Sequence, residues 1–91
     1  MIYEIIFTDQ AKEDIADLKK SDVNAFKKLK SLLVELGNHP QTGTGKPKRM
    51  QYEYSGFYSR RITQKHRVVY SINEMEVSVL VISAKGHYED K

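Results

Sequence analysis

The sequence predicts an α+β domain in which two N-terminal helices pack on one face of a mainly antiparallel sheet of four to five strands. Three observations support this β-α-α-β-β-β order. Apolar residues recur with helical spacing from residue 11 to residue 36, and apolar and polar residues alternate over much of the second half. In addition, 40% hydrophobic residues in a chain of 91 provide one modest core. We therefore expect residues 1–91 to form a single domain.

The first half of the chain is predicted to contain one strand and two helices. Residues 2–7 have strand composition, and Thr8 and Asp9 are N-cap candidates for the first helix. Ser21 and Asp22 follow that helix, and they can cap the second. The apolar stripes of the two helices consist of Ala11, Ile15, Leu18, Phe26, Leu29, Leu32, Leu33 and Leu36.

The second half is predicted to be a meander of strands. Gly37 is expected to end the second helix in the left-handed conformation, and residues 38–47 form a long loop. Polar turns are expected at 63–66 and 73–76. The predicted strands cover residues 48–54, 57–62, 67–70 and 77–82. The last of these strands is almost entirely apolar, so we expect it to be buried on both faces. The sheet face away from the helices is expected to present cationic and aromatic residues.

The central hairpin, residues 55–70, contains three arginines within eight positions. The planar guanidinium group of arginine matches the geometry of phosphate oxygens. Because side chains alternate across a strand, Arg60 and Arg61 point to opposite faces. At most one of them can share a pocket with Arg67, and the other is expected on a solvated face.

Positive charge is concentrated around this hairpin. The stretch from residue 46 to residue 67, here called the basic window, contains a single acidic residue, Glu53. Its cations are Lys46, Lys48, Arg49, Arg60, Arg61, Lys65 and Arg67. Tyrosines and phenylalanine are interleaved with them, and aromatic rings can either stack on unpaired bases or fill the core. The pattern favours a polyanionic partner such as RNA.

Composition excludes several other classes of function. The chain has no cysteine, so disulfides and cysteine-based zinc sites are absent. The three histidines lack the spacing of metal ligands, and we expect no metal or other cofactor. No apolar run approaches the ~20 residues of a membrane span, and the N-terminus does not have the pattern of a signal peptide. A cytoplasmic location with no membrane partner is therefore expected.

Three motifs give the chain a specific resemblance. They are Gly43-Thr-Gly-Lys-Pro47, the hairpin sequence from Ser55 to Tyr70 (Ser-Gly-Phe-Tyr-Ser-Arg-Arg-Ile-Thr-Gln-Lys-His-Arg-Val-Val-Tyr), and the pair His87-Tyr88. In these motifs and in its order of elements the chain resembles the Txe/YoeB toxins of the RelE/ParE superfamily. The resemblance extends from about residue 2 to residue 88 and implies a RelE-like fold.

The resemblance implies a ribosome-dependent mRNA interferase. Such toxins are metal-independent endoribonucleases that cleave mRNA in the ribosomal A site, leaving a 2′,3′-cyclic phosphate. Their site combines a carboxylate base, an arginine on the phosphate, a histidine acid and a terminal tyrosine. The matching positions are Arg67, His87 and Tyr88, and the resemblance adds an antitoxin whose acidic C-terminal segment covers the basic face.

The family's base has no direct match. Its glutamate follows the Lys-Pro pair, where this chain has Lys48. A lysine can serve as a base if neighbouring cations or burial lower its pKa from the usual value near 10.4. Glu53 is the alternative base, and Lys48 is favoured because it occupies the motif position directly after Lys46-Pro47.

Two other functions remain open at this point. Lys48 favours a non-catalytic protein of the same fold, either a gyrase-poisoning relative or a decayed toxin held by its antitoxin. A plain RNA-binding module is a third reading. The sequence also leaves open whether the chain forms a homodimer.

Overall fold

The computed structural model describes residues 2–40, 48–50 and 56–86. Its first elements are strand β1 (Glu4–Phe7), helix α1 (Asp9–Ser21) and helix α2 (Val23–Asn38). Strands β2 (Lys48–Arg49), β3 (Tyr58–Arg61), β4 (Arg67–Asn73) and β5 (Ser78–Ser83) follow. The order of strands and helices confirms the predicted α+β class.

The described strands form one sheet in the order β1-β5-β4-β3-β2. Strands β2 to β5 are antiparallel neighbours, whereas β1 runs parallel to β5, with Ile5 opposite Val79. A parallel pair needs a long crossover, and here the two helices and the meander lie between the paired strands. A register shift at Val69 and Tyr70 makes a bulge between β4 and β5.

Both helices begin at residues that cap them. The Thr8 hydroxyl accepts a hydrogen bond from the Ala11 amide at 3.0 Å, and it donates one to the Ile82 carbonyl at 2.7 Å. The Asp22 carboxylate accepts from the Ala25 amide at 3.1 Å and so caps α2. No helix in the described part of the chain is long and apolar enough to cross a membrane.

The core lies between the helices and one face of the sheet. Strands β4 and β5 contribute alternate residues to it, and Tyr70 and Val81, which are register partners, are both fully buried. The helices contribute the predicted stripes. The buried members of those stripes are Ala11, Leu18, Leu29, Leu32 and Leu36, and Ile15, Phe26 and Leu33 pack against them half-buried.

The opposite side of the sheet is here called the outer face. Its residues include Ser59, Arg61, Arg67 and Val69 on β3 and β4, and Ile6 and Leu80 on β1 and β5. Leu80 is 37% exposed, so the prediction that the last strand is buried on both faces was wrong. The aromatic part of the outer-face prediction was wrong for Tyr58, which lies on the helix side, as does Tyr70; Tyr52 and Tyr54 lie outside the described residues.

Gly37 does not end α2, as the sequence suggested. The helix continues to Asn38, and Gly37 is a buried helical residue without a positive φ. Its carbonyl accepts a hydrogen bond from the Tyr3 amide at 2.6 Å. The glycine therefore lies where the start of β1 approaches the helix, a tertiary contact that local helix-ending rules do not include.

The predicted turns are confirmed where they are described. In the turn after β3, the Thr63 hydroxyl accepts from the amides of Lys65 and His66, both at 3.2 Å. In the turn after β4, the Asn73 side chain accepts from the Glu76 amide at 3.0 Å. Most of the predicted strand 48–54 and of the loop 38–47 lies outside the described residues.

Candidate nucleic-acid interface

Arg61 and Arg67 face each other across the β3–β4 hairpin. They are direct register partners, so both side chains project from the outer face. One Arg67 guanidinium nitrogen, Nη1, lies 3.4 Å from the Ser59 hydroxyl, which is two residues from Arg61 on the same strand face. The hairpin therefore brings two guanidinium groups to one row of the sheet.

Arg61 contains a buried polar atom that lacks a hydrogen-bond partner. Among the residues the structure describes, its Nε is buried and makes no hydrogen bond. A buried guanidinium nitrogen without an acceptor is unfavourable. An anionic acceptor beside Arg61 would satisfy this nitrogen.

Arg60 is not a phosphate ligand on the surface, and this prediction was wrong. Its side chain is completely buried on the helix side of the sheet. Nη1 pairs with the Glu35 carboxylate at 3.2 Å, Nε donates to the Tyr70 hydroxyl at 3.1 Å, and Nη2 donates to the His39 carbonyl. The alternation of side chains along the strand correctly places Arg60 and Arg61 on opposite faces of the sheet. The face on which Arg60 lies, however, is covered by α2 and is not solvated.

The aromatic rings next to Arg60 also stack inside the fold. Tyr58 and Tyr70 have ring centroids 5.8 Å apart and planes within 15° of parallel. The Tyr70 hydroxyl donates to the Pro40 carbonyl at 2.9 Å. Burial raises the pKa of the Tyr70 phenol, and the hydrogen bond and charge of Arg60 act in the opposite direction.

Arg49, the next predicted phosphate ligand, lies at the edge of the sheet. It is exposed, and its guanidinium lies 5.8 Å from the Tyr58 ring centroid. Its register partner is Tyr58, so it belongs to the helix-side row and not to the row of Arg61 and Arg67. The structure therefore places Arg49 apart from the two facing arginines.

Lys48 and Lys65 lie on the segments next to strand β3. The backbone of Lys48 pairs with Ser59, which brings position 48 to the strand position next to Ser59. Lys65 is exposed in the turn between Arg61 and Arg67. The remaining predicted site residues, Lys46, Glu53, His87 and Tyr88, lie outside the described residues.

The chain leading to His87 is fixed by several contacts. The Ala84 amide donates to the Asp14 carboxylate at 3.1 Å. The Gly86 amide donates to Nδ1 of His66 at 3.0 Å, and the Gly86 carbonyl accepts from the Arg67 amide at 3.0 Å. The end of the described chain is thus attached to the hairpin that holds the arginine pair.

Sequence reasoning did not identify Glu35, Asp14 or His66 as important. Glu35 and Asp14 look like exposed helix residues in sequence, and the packing of the helices on the sheet brings them to Arg60 and to the Ala84 amide. His66 lies in a turn, where a polar residue is unremarkable. No three His, Asp or Glu side chains in the described ranges come together as metal ligands.

The fold first identifies a class of protein. A solved YoeB/ParE toxin from Agrobacterium tumefaciens matches this chain with a TM-score of 0.87 and 28% sequence identity, over 93% of this chain and 99% of that one. The structure therefore has the fold of a small bacterial toxin, as the sequence predicted.

Sequence comparisons then identify the family. A family model described as the YoeB-like toxin of bacterial type II toxin–antitoxin systems matches residues 7–88. Toxin YoeB of Escherichia coli K12 is 32% identical over 85 residues, which cover 93% of this chain and 99% of that protein. The chain belongs to the YoeB-like toxins, and the predicted resemblance is confirmed.

Two related structures from Staphylococcus aureus are assemblies. One is a YoeB dimer, with a TM-score of 0.83, and the other is a heterotetrameric YoeB–YefM toxin–antitoxin complex, with a TM-score of 0.81. Both are 32% identical to this chain and cover 97% of it. Toxins with this fold therefore occur both with their antitoxin and as dimers.

Proposed function

We propose that this toxin is a ribosome-dependent mRNA interferase that cleaves mRNA in the ribosomal A site and so inhibits translation. It acts as a metal-independent endoribonuclease, without a cofactor, and leaves a 2′,3′-cyclic phosphate. The ribosome as target makes the cytoplasm its place of action. Membership of the YoeB-like family supports this proposal, and the arginine pair of the outer face gives it a chemical basis.

The single observation that carries the proposal is the pairing of Arg61 with Arg67. The register brings two guanidinium groups to the same row of the outer face. The oxygens of a scissile RNA phosphate provide acceptors for these donors. The attraction increases as negative charge develops on the phosphorane, so the pair stabilises the transition state more than the ground state.

The reaction needs one proton acceptor and one proton donor. The 2′-oxygen attacks the adjacent phosphorus, its proton passes to the base, and the bond from phosphorus to the 5′-oxygen breaks. The leaving 5′-oxygen takes a proton from the acid, so the products are a cyclic phosphate and a 5′-hydroxyl. We assign the acid to His87, a stacking or hydrogen-bonding role to Tyr88, and phosphate binding to Arg61 and Arg67.

We assign the base to Lys48, with Glu53 as the alternative. The backbone pairing of Lys48 with Ser59 supports the first assignment, because Ser59 also contacts Arg67. Neighbouring cations favour the neutral amine that a lysine base requires. Lys46 and Lys65 are assigned to the RNA backbone, as is Arg49 from its position at the sheet edge.

We also propose that a cognate antitoxin regulates this chain. Its acidic C-terminal segment would cover the cationic part of the outer face, where Arg61 and Arg67 lie, and block access of RNA. The YoeB–YefM complex from Staphylococcus aureus supports an antitoxin partner, and the YoeB dimer from the same organism supports a homodimer as a further state.

A non-catalytic toxin is the second candidate, and Lys48 is the observation that favours it. A lysine where the family resemblance implies a glutamate is consistent with a decayed nuclease held by its antitoxin, or with a gyrase-poisoning relative. In either case the arginine pair would bind an anion without cleaving it.

Mapping of mRNA 5′-ends separates the two candidates. Purified toxin is added to ribosomes translating a defined mRNA, and the ends are located by primer extension. The interferase produces cuts in phase with codons, each with a 5′-hydroxyl, and no cuts on the same mRNA without ribosomes. DNA breaks in cells without any codon-phased cut would support the gyrase reading and contradict our proposal.

A further inference from the structure

We infer that His66 is a positioning residue for the proposed reaction: its imidazole holds the backbone of Gly86, the residue that precedes His87 in the chain. This inference deepens the proposed function and rests on it. It concerns the side chain of His66, which has no place in the reaction scheme above.

Both backbone polar groups of Gly86 are engaged by two successive residues of the hairpin. Its N–H donates to Nδ1 of His66 at 3.0 Å, and its carbonyl accepts from the Arg67 amide at 3.0 Å. Gly86 has a φ of +84°, a conformation that glycine adopts without steric cost. The chain therefore turns at Gly86. Hydrogen bonds to the hairpin hold both the N–H and the carbonyl of this residue.

The turn before β4 fixes the backbone of His66. The His66 amide donates to the Thr63 hydroxyl at 3.2 Å, and the Lys65 amide donates to the same oxygen. The His66 carbonyl accepts from the amides of Ile62 at 2.9 Å and Thr63 at 3.1 Å. His66 thus has both of its backbone polar groups bonded, which leaves its imidazole in a defined place beside Gly86.

The contacts upstream of Gly86 act on a different part of the chain. The Ala84 amide is held by Asp14, which is itself buried and accepts from Gln10. Lys85 pairs with Asp17 at 3.2 Å, but both side chains are largely exposed, so this ion pair contributes little. Gly86 is the last described residue before His87, and its anchor is the hairpin rather than α1.

This arrangement links two parts of the proposed site. Arg67 presents its side chain to the phosphate from the outer face, while its backbone amide and the neighbouring imidazole hold the residue before the proposed acid. Because His66 accepts at Nδ1, its proton lies on Nε2, an assignment that follows from the hydrogen bond. His66 therefore acts by orienting the backbone at Gly86. This reduces the number of conformations that are sampled before the reacting groups are aligned.

The test compares substitutions that keep or remove the acceptor at this position. His66→Asn keeps an acceptor oxygen close to the position of Nδ1, whereas His66→Leu removes it. Gln64→Ala, in the same exposed turn, is the control. For each protein, NMR measures hydrogen exchange of the Gly86 amide, and single-turnover experiments on mRNA-programmed ribosomes measure the cleavage rate and the apparent affinity separately.

We expect His66→Leu to speed exchange at Gly86 by up to about tenfold, the value of one hydrogen bond. Its cleavage rate at saturation should fall by about 10–100-fold with little change in affinity, because a misplaced group reduces the rate of the chemical step. His66→Asn should restore both properties, and Gln64→Ala should behave as wild type. If His66→Leu unfolds, His66→Ala removes the same acceptor without adding an apolar side chain.

Unchanged exchange at Gly86 in His66→Leu would overturn the anchor itself. Faster exchange with an unchanged cleavage rate would overturn the positioning role. A wild-type protein that protects Gly86 and never cuts mRNA would instead overturn the proposed function, and the exchange measurements would still report on the anchor.

Discussion

Arg60 and Arg61 are neighbours in the chain, but their guanidinium groups have opposite surroundings. Arg60 makes an ion pair and two further hydrogen bonds inside the fold. Arg61 lies opposite Arg67 on the outer face, with a buried Nε that has no partner in the described part of the chain. The first guanidinium group is therefore held by contacts inside the fold, whereas the second projects from the outer face.

Tyr70 gives a prediction about stability and pH. Tyr70→Phe removes an acceptor from Arg60 and a donor from Pro40, so unfolding free energy at neutral pH should fall by about 1–3 kcal/mol. Burial raises the pKa of this phenol in the folded state above 10.0. The contribution of Tyr70 to the unfolding free energy of the wild type is therefore fully present below pH 10.0, and it is lost as the pH rises through the folded-state pKa.

Urea unfolding of both proteins from about pH 8 to about pH 11 measures this effect. The difference in stability between wild type and Tyr70→Phe should narrow at the alkaline end, because the variant has no phenol to ionise at this position. A difference that stays constant across the range would contradict the raised pKa.

At the scale of elements, the sequence predicted most of the fold and little of the packing between elements. Capping by Thr8 and Asp22, the apolar helix stripes and the Thr63 turn all depend on residues close in sequence, and each was confirmed. Gly37 and Arg60 were predicted wrongly for one reason. Their surroundings come from residues distant in the chain, Tyr3 for the glycine and Glu35 for the arginine.

Alanine substitutions at Gly37 and at Gly56 should change the unfolding free energy in opposite directions. A Cβ at Gly37 would meet the Tyr3 carbonyl oxygen at 3.6 Å, an ordinary contact, within a helix. Gly37→Ala should therefore raise unfolding free energy by about 0.5–1 kcal/mol. Gly56 has a φ of +93° and open space around it, so Gly56→Ala should lower unfolding free energy by about 1–2 kcal/mol.

Thermal or urea unfolding of the two alanine variants provides the measurement. A loss of stability in Gly37→Ala would show that β1 and α2 require a closer approach than the contact distance indicates. A neutral Gly56→Ala would show that the left-handed conformation there is not maintained in solution.

At the scale of the whole molecule, the fold joins distant parts of the chain at the proposed site. The parallel pairing of β1 with β5 allows Thr8 to cap α1 and bond Ile82. Strand β5 then leads to Gly86, which returns to the hairpin. The motifs identified the hairpin from sequence, but the sheet register was needed to choose Arg61 over Arg60 as the partner of Arg67.

The most direct test of the account is the effect of Arg67→Ala on cleavage of mRNA by the ribosome-bound toxin. The control is Lys27→Ala, which removes one positive charge from the exposed surface of α2. Single-turnover rates at saturating ribosome concentration should fall by about 10²–10³ in Arg67→Ala, because one electrostatic contact to the phosphorane is lost. The control should cut at close to the wild-type rate. Equal rates for Arg67→Ala and wild type would contradict the assignment of the outer-face arginines to the scissile phosphate.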